Sequence, residues 1–126
     1  MSKLETPLTR KYWNEVGGTL IEEFNLVLKN KNHARRLADG LIILGGPKII
    51  SKERNINIKN KNVIVLQTKA KKIGMNVCGQ ALVSKMIIEK YHEPKSVKSV
   101  IICTKGDDIV EEQIRQFKFI EIKIYE

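Results

Sequence analysis

Soft metal ligands are nearly missing from this chain. Its two cysteines, Cys78 and Cys103, stand singly in apolar settings without a Cys-x-x-Cys pair, and its two histidines, His33 and His92, are equally solitary. A zinc centre built from His and Cys is therefore unsupported, the cysteines read as buried reduced thiols, and any metal has to be held by oxygen. Long apolar runs are missing too. No stretch approaches the length of a membrane span and no signal peptide is visible, so a soluble, cytoplasmic protein with no membrane partner is expected. Acidic residues are the third shortage: 14 Asp and Glu face 23 Lys and Arg, for a formal net charge of +9. That surplus selects polyanions, most simply nucleic acid, although acidic lipid surfaces attract the same charge. Internal repeats and low-complexity segments are also absent. What is present in ordinary amount is apolar material, 42% of 126 residues, enough for one core and one domain over residues 1–126.

The organising stretch is Asn62 to Lys69. Val63, Ile64, Val65 and Leu66 are contiguous and mostly β-branched, as in a central strand covered on both faces. The run then turns polar at Gln67, Thr68 and Lys69. Gln67 and Lys69 share parity and point to one face of a strand, with Thr68 on the other. A second strand-like run, Arg36 to Leu44, carries one acid, Asp39, among apolar neighbours. Taken alone, Asp39 reads as an acid beside a turn at Gly40, and Lys69 as a strand-end lysine in solvent.

Along the chain, Leu8, Tyr12 and Val16 recur at helical spacing from Glu5 to Val16, with Pro7 in the first turn and Gly17-Gly18 as the stop. Thr19 to Val27 reads as the first strand. Strict alternation puts Leu20, Phe24 and Leu26 on the face of Glu22, and Ile21 and Val27 on the face of Glu23. Lys29, Lys31, His33, Arg35 and Arg36 crowd the connector into the second strand, which Gly45-Gly46-Pro47 ends. Residues 48–61 form a long excursion, read as a loose hairpin. Beyond Lys71 and Lys72, Gly74 opens a helix running to about Tyr91, whose apolar face is formed around Ala81, Leu82, Met86 and Ile88. Ser99 to Cys103 is a buried strand. Asp108 and Glu111 form a capping box on a helix with Val110, Ile114 and Phe117 on one stripe. Phe119 to Tyr125 alternates like a half-exposed edge strand.

An acid on one strand followed by a strand ending in Glu-x-Lys is the hallmark of the PD-(D/E)xK nuclease superfamily, which this chain resembles in motif and in element order over roughly its whole length. Asp39 matches the acid and Lys69 the lysine. Two departures stand out: Ala38 replaces the proline, and Gln67 stands where the glutamate usually is, removing a charge from the metal site. The resemblance implies an α/β, restriction-endonuclease-like mixed central sheet flanked by helices, its first three strands a meander and its last two joined by helical crossovers. It implies a nuclease hydrolysing phosphodiester bonds, most simply of DNA, with Mg or Mn as cofactor. Asp39 would be the principal ligand, joined by the backbone carbonyl of Thr68, the side-chain oxygen of Gln67, and Glu5 or one of Glu22 and Glu23. Lys69 would orient the attacking water and stabilise charge in the transition state. Lys29, Lys31, Arg35, Arg36, Lys71, Lys72 and Gln80 would contact nucleic acid. A homodimer would serve two strands with two sites. The alternative is a non-catalytic nucleic-acid-binding protein that keeps the fold; a subunit that needs a partner for activity is a third reading. Outside the resemblance, Glu5 is an acid at the favourable end of a helix dipole, and Gln80 an ordinary exposed helix residue.

Overall fold

Two kinds of connection set the sheet. Short or irregular links join the early strands, which consequently pair antiparallel, whereas helices join the later ones, which run parallel as crossover units. The computed structural model describes residues 2–126. In chain order the elements are α1 (Glu5–Val16), β1 (Thr19–Val27), β2 (Arg36–Ile43), β3 (Ile50–Ser51), β4 (Asn62–Lys72), α2 (Met75–His92), β5 (Ser96–Lys105), α3 (Asp108–Ile114) and β6 (Ile120–Ile124). They form an α/β fold with one mixed six-stranded sheet in the order β3-β1-β2-β4-β5-β6. β1, β2 and β4 are antiparallel neighbours; β4, β5 and β6 are parallel, and β3 runs parallel to β1.

β4 lies between both layers, as its contiguous apolar run requires. Val63 and Val65 join Ile21, Phe24, Leu41 and Ile88 beneath α2. Ile64 and Leu66 join Leu20, Ile42, Val100 and Tyr12 beneath α1. A third cluster holds α2 and α3 to the far strands through Cys78, Ala81, Ile101, Cys103, Ile114 and Ile122. Full burial of each such Leu, Ile or Val stabilises the fold by roughly 1.5–3 kcal/mol. Both cysteines are buried and free, and no helix among the described residues is long and apolar enough to cross a membrane.

Five local expectations need correction. Alternation in β1 is not strict: Ile21 and Phe24, three residues apart, face the same core, and so do Ala38 and Leu41 on β2. The slip occurs where Glu23 takes a left-handed φ of 55°, a conformation unfavourable for a non-glycine residue. Phe24 and Leu26 thereby move to the face opposite Leu20. Gly40 is no turn; it pairs with Glu22 on one side and Leu66 on the other. A Cβ there would meet Leu66, Thr9 and Leu20 at 3.2–3.4 Å, so glycine lets α1 approach the sheet closely. The excursion is not a hairpin: its two-residue strand β3 adds to β1, while Ile58 plugs the core. Asp107, not Asp108, caps α3, accepting from the N–H groups of Ile109 and Val110, while Glu111 accepts from the N–H of Asp107. The buried face of α2 is Val77, Ala81, Ser84 and Ile88, and Met86 is exposed.

Candidate metal and nucleic-acid site

The β2–β4 ladder ends at the pair Gly40–Leu66, although β4 continues beside β5 as far as Lys72. Asp39 occupies the opening. Its Oδ2 accepts the backbone N–H of Thr68 at 2.8 Å. In a strand the N–H and C=O of one residue point toward the same neighbour, so the Thr68 carbonyl also leaves β4 on the side of Asp39. Two residues on, Oε2 of Glu5 accepts from the N–H of Ala70 at 3.4 Å. Two carboxylates thus line the edge of β4 that β2 has left.

Helix α1 is fixed against that edge by threonines. Thr9 and Thr68 share a hydrogen bond between their hydroxyls at 2.7 Å, and Thr9 Oγ1 donates back to the carbonyl of Glu5 at 3.2 Å. Thr9 is fully buried and one helical turn beyond Glu5. That i, i+4 spacing was the only sign of it in the sequence.

Burial pushes the Asp39 carboxyl above its ordinary range; the Thr68 N–H opposes this, and the negative charges of Glu5 and Glu23 reinforce it. A carboxylate crowded by burial and like charge is a place where a cation is favoured. The acids on β1 behave differently from each other. Glu22 is engaged by Arg10 in a two-pronged pair, Nε to Oε2 at 3.1 Å and a terminal nitrogen to Oε1 at 2.9 Å. Glu23 lies across from Asp39 in the register and pairs with Arg54 at 3.3 Å.

Gln67 and Lys69 do share a face, that of α2, and Thr68 the opposite one. Gln67 is buried, with Nε2 donating to Ser84 Oγ at 2.9 Å. Its amide is therefore held toward α2 and not toward Asp39. Ser84, one turn after Gln80, carried no sequence signal as a partner. Lys69 is exposed and lines a cleft with Lys72, Gly74, Met75 and Gln80. Gln67 lines a second cleft with Arg35, Arg36, Ser84 and Gln80, so Gln80 joins the two. Lys72 is shared with Asp107 at 3.2 Å. Lys71 and Lys31 are exposed away from these clefts, and Lys29 lines a separate one with Asn25, His33 and His92.

Among the described residues no three His, Cys, Asp or Glu side chains converge as a metal cage. The donors along this edge of β4, the carboxylates of Asp39 and Glu5 and the Thr68 carbonyl, are all oxygen; oxygen donors suit magnesium or manganese, and magnesium is commonly bound by one or two carboxylates together with water and phosphate. The chain matches no protein-family model, no curated protein and no solved structure.

Proposed function

We propose that this chain is a metal-dependent nuclease of restriction-endonuclease-like fold that hydrolyses phosphodiester bonds in DNA. The observation that carries the reading is the Asp39 carboxylate in the opening between β2 and β4, bonded to Thr68 N–H, with Glu5 beside it. A half-buried acid at the end of a broken ladder has little packing value, and on a chain of charge +9 it stands against the prevailing sign.

Asp39, Glu5 and the Thr68 carbonyl would hold Mg or Mn. When bound, the ion supplies a water of lowered pKa and positive charge against the phosphate oxygens. The chain's own residues do the rest. Thr9 and Thr68 keep α1 and β4 in register so that Glu5 stays near Asp39. Lys69, exposed one residue beyond Thr68 on the same strand, would supply the positive charge that stabilises the developing phosphorane. Arg35 and Arg36, in the cleft adjoining through Gln80, bind flanking phosphates. Two copies would cut the two strands of a duplex.

The bond from Gln67 to Ser84 favours a second reading, a nucleic-acid-binding module without catalysis, because the residue in the glutamate position is committed to the core. Supercoiled DNA incubated with the protein and Mg or Mn separates the two. Nicking that a chelator abolishes is the expected result; intact plasmid that is nonetheless retained by the protein assigns the chain to the second reading.

A further inference from the structure

The first turns of α2 separate two very different surfaces. On one side lie the clefts of Lys69 and Lys72 and of Arg35 and Arg36. On the other, between α2 and α3, is a cleft lined by Met75, Cys78, Leu82, Ile109 and Phe117, with Gln113 as its polar side chain. Met75 is 81% exposed, Ile109 75% and Phe117 41%. Met75 lines both the lysine cleft and the apolar one, and Gly79 lines both the arginine cleft and the apolar one.

Gly79 has no structural reason to be glycine. It lies inside a helix, where glycine is less favourable than alanine, its φ is not positive, and a Cβ there would meet no atom within 4 Å. Its bare backbone leaves a low saddle over which a chain can cross α2 closely. Cations on one side, an apolar slot with an aromatic ring and a single amide on the other, and a low crossing between them match a nucleotide: phosphate to the bases, base to the slot.

We propose that the α2–α3 cleft receives an unpaired base of bound DNA, its backbone crossing α2 at Gly79, so that the preferred substrate carries a single-stranded extension or a displaced base. This rests on the nucleic-acid reading above. A base inside a duplex is stacked and cannot enter; an unpaired one gains stacking on Phe117 and burial against Met75 and Ile109, with its edge offered to the Gln113 amide.

The test compares the affinity of the full chain for a blunt DNA duplex and for the same duplex with a short single-stranded extension, at low salt and without metal. The wild type should bind the extended duplex about tenfold more tightly. Gly79→Leu raises helix propensity and fills the saddle, so it should melt at a higher temperature than wild type and lose that preference while keeping the affinity for blunt duplex. Phe117→Ser, at a partly exposed position, should reduce the preference severalfold. Equal affinity of the wild type for both probes overturns the inference and leaves the nucleic-acid reading in place; binding of neither overturns both. If Gly79→Leu or Phe117→Ser changes the oligomeric state and not the preference, the cleft is an interface between copies and the inference falls.

Discussion

The backbone N–H of Thr68 donates to Oδ2 of Asp39 just past the pair at which β2 and β4 stop bonding to each other. A carboxylate replaces a carbonyl as the partner of β4 there. That arrangement is unfavourable in itself, because burial and the nearby acids oppose the ionised form, and a nearby cation would relieve it.

One consequence is a stability effect with a definite sign. The folded-state pKa of Asp39 lies above its unfolded value, so the folded state binds the proton more strongly, and the stability associated with it is full at acid pH and lost as pH rises through the folded pKa. Asp39→Asn keeps an acceptor for Thr68 and never ionises. It should melt at a higher temperature than wild type at pH 7 without metal, and the advantage should shrink as pH falls through the carboxylate range. Thermal melts across pH measure this; a lower melting temperature for Asp39→Asn at pH 7 would mean that the carboxylate is stabilising and the site argument is wrong.

The buried amide of Gln67 gives a second test. Ser84→Ala removes the acceptor of its Nε2 between two buried residues, and should cost about 1–3 kcal/mol in denaturant unfolding. Loss of only a few tenths would show that Gln67 finds another partner, and would reopen its place beside the metal.

The acids should separate cleanly in metal titrations. Glu5→Gln should weaken manganese binding measured by calorimetry. Glu22→Gln should leave that affinity unchanged and cost at most about 1 kcal/mol of stability, since the Arg10 partner is half exposed. Weaker manganese binding by Glu22→Gln would place Glu22 at the metal after all.

Binding should fall steeply with salt, because each phosphate neutralised by Lys or Arg releases counterions. Replacing exposed Arg36 with Ala should reduce the slope of log affinity against log salt by about one unit, with little change of sequence preference. An unchanged slope removes Arg36 from the phosphate contacts.

Much of the fold was legible because apolar runs and alternation carry direct information. Val63 to Leu66 announced a two-faced strand, Ile120 to Ile124 an edge, and the helical links between β4, β5 and β6 their parallel order. The slip at Glu23 was not legible, since a left-handed residue in mid-strand leaves no mark when glycine is not used for it. It moves Phe24 and Leu26 off the face of Leu20, and strict alternation therefore assigned the wrong faces. The parity of Gln67 and Lys69 was read correctly from spacing, but spacing says nothing of the in-plane opening through which Asp39 reaches Thr68. Arg10 and Ser84 were missed for the same reason: contacts between elements distant in sequence depend on how helices sit on the sheet, which no local pattern records.

The most direct measurement is cleavage and binding of DNA by wild type, Asp39→Asn and Lys69→Ala side by side, with Mg or Mn. The wild type should cut. Both variants should lose cleavage by orders of magnitude, while Asp39→Asn binds DNA at least as tightly as wild type, having lost a negative charge, and Lys69→Ala binds more weakly, having lost a positive one. A wild type that binds but cuts nothing with either metal, or a Lys69→Ala variant that cuts as well as wild type, contradicts the account.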